Sequence, residues 1–242
     1  MHNSAWQLFY RFSFCLLLFA VASCDTTIKT DEAIVSDAIV EKNTTATAAQ
    51  EIFAVDTAKS QITWIGAKLT GRHNGFFYVQ SGQLYRSKGL LTGGTIKLNM
   101  ADLRSADSHI DAENNRKLTR QLRSADFFDV ERFPTAIFKL TSIAPFDSSG
   151  QKPAVASKYS ELRVNNPTHR ITGNLTIKGQ TKSVTFPARV TFKDSILHAE
   201  ANFNLDRTKW GLVYRSDESL GDKTIYPEVN ISLNIFATQQ TP

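Results

Sequence analysis

Sustained two-residue alternation in the C-terminal half restricts this chain more than any other feature. Ile171, Gly173, Leu175 and Ile177 fall on one face of a strand, and Val184, Phe186, Ala188, Val190 and Phe192 repeat the arrangement. Leu197, Ala199, Ala201, Phe203 and Leu205 do so again, as do Val229, Ile231, Leu233 and Ile235. Successive strand side chains point to opposite faces, so each run is a strand with one apolar and one polar face. A sheet of many such strands buries its apolar face by curling and closing, which also removes unpaired edges. Strand-helix-strand spacing does not appear, which argues against a parallel α/β sheet. The expected architecture is all-β, an antiparallel closed barrel of about eight strands.

Upstream, Gln61 to Leu69, Gly75 to Gly82, Gln83 to Tyr85 and Thr95 to Met100 are rich in β-branched and aromatic residues, with glycines between them. They read as a meander of hairpins, followed by an irregular polar stretch from Asp102 to Arg116. Leu118 to Ser142 breaks the strand pattern. Leu118, Leu122 and Ala125 have helical spacing. Pro134 cannot continue a helix and biases Phe133 to an extended conformation, and Ala136, Phe138 and Leu140 then alternate with polar or outward neighbours. A short helix hands over to a strand and is expected to cap one end of the barrel. Phe127 and Phe128, between Asp126 and Asp129, are expected to plug that end. Ala144 to His169 reads as an extended loop or added hairpin, with Glu161 to Val164 as its candidate strand.

Residues 1–23 read as a secretory leader, because Arg11 precedes an apolar run from Phe12 to Ala22 that is too short to span a bilayer. Val21-Ala22-Ser23-Cys24 has the pattern of a bacterial lipobox, in which the cysteine is acylated; the alternative is an ordinary leader with an incidental cysteine. Acylation of Cys24 would make the protein a membrane-anchored lipoprotein of the cell envelope, facing the periplasm or the cell surface. Cys15 lies inside the removed run, so no disulfide is expected. Residues 24–50 hold no aromatic, glycine or proline, and are expected to form the acylated cysteine and a flexible tether, with a short amphipathic helix around Ala33 to Glu41 conceivable. Residues 51–238 then form the barrel. The net charge of +5 over 242 residues falls well short of a nucleic-acid footprint.

The run LRSADFFDVERFPTAIF, Leu122 to Phe138, resembles the signature of the YceI-like family of lipocalin-like, polyisoprenoid-binding proteins. TWIGAKLTGRHNG (Thr63 to Gly75), ITGNLTIKGQTKSVTF (Ile171 to Phe186) and LDRTKWG (Leu205 to Gly211) follow the family's order. The resemblance spans Ile52 to Phe236 and implies a long barrel enclosing an apolar channel for an isoprenoid chain. Where the family's helix carries His-Leu this chain has Gln121-Leu122, so no role for that imidazole carries over.

G-x-S-x-G, H-E-x-x-H, paired C-x-x-C and glycine-rich phosphate loops are absent from the sequence, so the usual hydrolase, zinc and nucleotide signatures are missing and no cofactor or metal is expected. His109, Asp111 and Glu113 read as a solvated loop, and His198, out of phase with its strand's apolar face, as solvent-facing. Trp64, Lys68, His73, Asp206, Arg207 and Trp210 form the candidate polar site. Trp64 and Lys68 lie an even number apart and share a face, and Asp206 is the expected partner of Lys68. These residues either pin the barrel ends through an ion pair and aromatic packing, or place cations at a channel mouth to hold a pyrophosphate or quinone head. Phe127, Phe128, Phe138, Ala188, Ala199 and Ala201 are the candidate lining of the lumen.

The expected function is non-enzymatic binding, sequestration or transport of a polyisoprenoid or similar long-chain amphiphilic lipid, by a monomer or homodimer. The alternatives are an enzyme acting on such a lipid, with Lys68, His73 and Asp206 as acid-base groups, and a structural or stress lipoprotein with a filled core.

Overall fold

A computed structural model describes residues 26–40, 50–147, 162 and 164–240. The expected leader, Cys24 and the greater part of the 144–169 insertion lie outside the described residues. The strands are β1 (Ile34–Asp37), β2 (Glu51–Val55), β3 (Gln61–Lys68), β4 (Gly71–Ser87), β5 (Leu90–Ser105), β6 (Thr135–Pro145), β7 (His169–Ile177), β8 (Gln180–Lys193), β9 (Ile196–Asp206) and β10 (Ile225–Gln239). One helix, α1 (Ala112–Arg123), joins β5 to β6.

The barrel closes with eight staves. β4 pairs with β5, β5 with β6, β6 with β7, β7 with β8, β8 with β9 and β9 with β10, all antiparallel. The last stave is shared: β3 and β2 lie end to end between β10 and β4, β3 on the first half of β4 and β2 on the second. The expected all-β closed barrel with one short helix is the observed fold.

Several boundaries move. Gly75 to Gly82 and Gln83 to Tyr85 are one strand, β4, whose irregularities near Tyr78 and Ser81 let it bend without breaking. β5 runs on through Ser105 and α1 starts at Ala112, so much of the stretch expected as irregular is ordered. Asp111 caps α1, its carboxylate accepting from the Asn114 backbone N–H at 2.7 Å. The helix ends at Arg123, which leaves Ala125 exposed beyond it, and Leu118 and Leu122 carry the inward stripe. Leu162 and Val164 are not in a strand.

The largest departure is at the N-terminus. Residues 26–40 do not stand off as a tether or form a helix; they lie along the barrel wall. Thr26 donates to the Lys68 carbonyl at 2.6 Å, Ile28 is buried, and β1 pairs with Lys182 to Thr185 of β8.

Candidate functional site

The inward faces of the barrel enclose a cavity of about 440 Å³, within the size range of ligand sites. One end is closed by Phe53, Leu197 and Ala237, all fully buried, with Phe192 edge-on to Phe53 at 5.8 Å. From there the lining is Val190, Ala188, Ala199, Ala201, Ile171, Phe138, Phe186, Phe203 and Leu205 among other apolar residues, and charges appear only at the opposite end. Gly173 makes room for one of these side chains, because a Cβ there would lie 2.3 Å from the Phe138 ring.

The other end is built by α1, the turn after it and the segment between β9 and β10. Backbone N–H groups of Phe127, Phe128, Asp129 and Val130 bond back to carbonyls of Leu122, Arg123 and Ser124, which folds the doublet over the barrel rim. Phe127 is 6% exposed and lies 5.4 Å from Tyr214 and 6.3 Å from Phe128, ring centre to ring centre. Phe128 reaches Phe77 at 5.8 Å and is only half-buried. The doublet therefore forms part of the cavity's end, as expected.

Of the candidate residues, Trp64, Lys68, His73, Phe127, Phe128, Phe138, Ala188, Ala199, Ala201, Arg207 and Trp210 all line the cavity; Asp206 does not. The expected Lys68–Asp206 ion pair is not formed. Asp206 caps a 3-10 turn at Arg207–Trp210, accepting from the Thr208 N–H at 2.9 Å and hydroxyl at 2.6 Å, with Lys209 Nζ 3.6 Å away. A short side chain turned back on its own loop cannot also reach β3.

Arg207 is likewise spoken for. Its buried guanidinium donates to the carbonyls of Leu212, Tyr214, Ile225 and Tyr226, tying the loop between β9 and β10 to the barrel. Burial lowers its pKa, opposed by the charges of Asp206 and Glu228, and an arginine remains charged regardless. Trp210 is fully buried and donates from Nε1 to the Leu175 carbonyl at 2.9 Å. These two residues pin the barrel's end.

What remains at the mouth is Lys68, half-buried, with Arg215, Asp222 and Lys223 on the exposed rim and Gln121 from α1. Trp64 Nε1 is buried with no hydrogen-bond partner among the described residues. His73 faces the mouth from β4 and pairs through Nδ1 with the buried carboxylate of Asp107 at 2.7 Å, while His109 Nδ1 lies 2.9 Å from the same carboxylate. Burial raises the Asp107 pKa, but the His109 backbone N–H and the His73 and His109 rings outweigh it, and the net pKa is lowered. Asp111 belongs to the helix cap, and no group of three potential metal ligands exists among the described residues. His198 is on the outer face, as expected, but stacks on Phe236 at 4.2 Å and bonds Asn234.

Sequence reasoning missed Arg215, Asp222 and Lys223, which sit on a loop without periodicity. It also missed Met100, whose alternation was visible but whose contact with the capped end was not.

A closed antiparallel barrel, hollow along its axis and polar at one mouth, defines the lipocalin-like class. Within that class the chain belongs to the YceI-like domain family, which it matches over residues 53–237. The fold is similar to that of BcnA from Burkholderia cenocepacia, with 21% identity, a TM-score of 0.56 and coverage of 76% of this chain and 99% of that one. It is also similar to a polyisoprenoid-binding domain from Saccharophagus degradans implicated in plant cell wall breakdown, with 10% identity, a TM-score of 0.51 and coverage of 80% and 100%. No curated protein matches the sequence.

Proposed function

We propose that this protein binds one long-chain amphiphilic lipid, of the polyisoprenoid class, in the barrel lumen, without catalysis, in the bacterial cell envelope. The observation that carries the reading is the cavity itself: about 440 Å³ of apolar lumen with charged groups at one end only. Each methylene moved from water into such a lumen gains about 0.8 kcal/mol, so a tail supplies affinity in proportion to its length. The rim cations Lys68, Arg215 and Lys223 outnumber Asp222 and favour a head that is anionic or rich in acceptors. The unpartnered Trp64 N–H supplies a further donor near that end. What supports the polyisoprenoid class is membership of the family and the description of the Saccharophagus degradans domain. The envelope location and an acyl anchor at Cys24 rest on the Val21-Ala22-Ser23-Cys24 motif.

Mass spectrometry of lipid extracted from the purified protein tests this. A stoichiometric isoprenoid is the expected result. Turnover of an added lipid would make the protein an enzyme instead, and a protein that purifies empty and takes up no added lipid would refute the reading.

A further inference from the structure

The seam between β8 and β9 is unlike the other joints of the barrel. The two strands pair from the turn at Lys193/Ile196 only as far as Arg189 and Glu200. Beyond that both continue, β8 to Gln180 and β9 to Asp206, without bonding each other. The split is filled by the N-terminal segment. On one side β1 pairs antiparallel with β8, Ile34 opposite Thr185 through Asp37 opposite Lys182. On the other, Glu32 bridges Asn204 in parallel, the Ala33 N–H donating to the Asn204 carbonyl and the Asn204 N–H to the Asp31 carbonyl, each at 2.8 Å. A strand inserted this way separates its neighbours by two strand spacings, about 9.5 Å.

Directly behind the insert is the lumen. Val184 and Phe186 on one edge, and Phe203 and Leu205 on the other, all line the cavity. Phe186 and Phe203 stack at 4.3 Å, so on the inner side the gap is closed by side chains alone. The insert turns only two short side chains, Ala33 and Val35, inward onto the core, each of them half-buried, while Ile34 is 60% exposed and Asp37, 98% exposed in its side chain, pairs with Lys182. Its bed is polar. Asn202, Asn204 and Asn230 bond one another, and Asn204 also reaches the Ile28 carbonyl and Glu32. Asn174 both donates to and accepts from the Ile39 backbone. Amides that already satisfy one another tolerate water when a covering strand leaves, whereas an apolar bed would not.

We infer that the split between β8 and β9 is the lateral portal through which the lipid tail reaches the lumen, and that residues 31–37 are the removable strand that closes it. A side slot lets a long tail enter sideways, without threading past the rim charges and the Phe127-Phe128 plug. The inference rests on the lipid-binding reading. If Cys24 is the anchor, the strand that closes the slot begins seven residues after it in sequence, so the portal is held near the membrane that supplies the lipid.

The test is a staple that fixes the insert to the β8 edge of the slot. Ser36 and Ser183 are register partners on the outer side, so Ser36→Cys/Ser183→Cys in a Cys15→Ser/Cys24→Ser chain leaves only the two introduced thiols. Uptake of a dansylated polyprenyl phosphate from phosphatidylcholine vesicles is followed by energy transfer from the protein's tryptophans. The oxidised form is expected to load at least ten-fold more slowly than the reduced form, with the rate restored by dithiothreitol. Equal rates in the two forms would mean that the strand need not leave for uptake, which overturns the portal while lipid binding stands. No loading by any form, the unstapled parent included, would remove lipid binding and the portal together. If the double variant does not fold, hydrogen exchange on the parent decides: amides of 33–37 should exchange at least ten-fold faster than those of 197–200. Equal protection would mean that the strand leaves only when the whole barrel unfolds, which overturns the proposal.

Discussion

Ala201→Phe separates a lumen from a core more sharply than any other change. Ala201 is buried, points into the cavity, and stands on β9 opposite Leu233 of β10. In a packed interior an added ring forces neighbours off their rotamers and costs about 1 to 3 kcal/mol. Here the ring enters free space, so the empty protein should lose less than about 1 kcal/mol, a melting shift under about 4 °C for a domain of this size. Binding should suffer instead. A phenyl ring displaces roughly four methylenes of tail, and at about 0.8 kcal/mol each the loss is about 3 kcal/mol, or about 200-fold in affinity. Melting temperature and bound lipid are measured on the same preparations, with Ala199→Phe as a second position. A fall of about 6 °C or more with bound lipid unchanged would mean that the interior is filled, and the reasoning fails.

Phe127→Ala should cost about 3 to 5 kcal/mol, because the ring is buried between Tyr214, Phe128 and the Arg207 guanidinium 5.5 Å away. Half-buried Phe128 should cost less when truncated, and thermal melts that rank the two the other way would contradict the packing described. Asp107 has a lowered folded pKa, so the stability it contributes is present above its ordinary value of 3.8 and is lost as pH falls through the folded value. Asp107→Asn should therefore melt below the parent at pH 6, and the gap should close below about pH 3.8; a gap that stayed constant with pH would argue against a charged Asp107 in the fold. Cys24→Ser should move the protein from the membrane fraction to the soluble extract, since several acyl chains anchor firmly where none does. A variant still membrane-bound in high salt would rule the lipid anchor out.

The barrel was readable because alternation is a local property: each of Val184, Phe186, Ala188 and Val190 declares its face by its spacing from the next, and the cavity lining follows that phase. The handover at Pro134 was readable for the same reason. Charge pairing was not. Lys68 and Asp206 have compatible charges and end the strands on either side of β10, but Asp206 satisfies its carboxylate two residues along the chain, at Thr208, and local capping wins over a distant partner. The N-terminal strand escaped notice because composition there is polar and lacks aromatics. The signal was the β-branched pair in Ala33-Ile34-Val35, whose Ala33 and Val35 face the core while Ile34 faces out. A single alternation so short is indistinguishable from a tether until a seam exists to receive it, and the seam is a property of two other strands.

A hollow barrel needs its stability elsewhere than at its centre, and the distribution of side chains supplies it at the two ends and in the wall. Phe53, Leu197 and Ala237 at one end and Trp210 and Leu103 at the other are fully buried. Arg207 ties the closing loop through four carbonyls. Between these plugs the wall is held by its strand ladders, and the lining residues Ala188, Ala199 and Ala201 are small where a solid core of native density would demand large ones. Enlarging them would fill the interior without adding anything the ends do not already provide. The small side chains thus leave the last part of the hydrophobic interior to be completed by a ligand, which binds the folded chain and not the unfolded one and so stabilises the fold as it fills it.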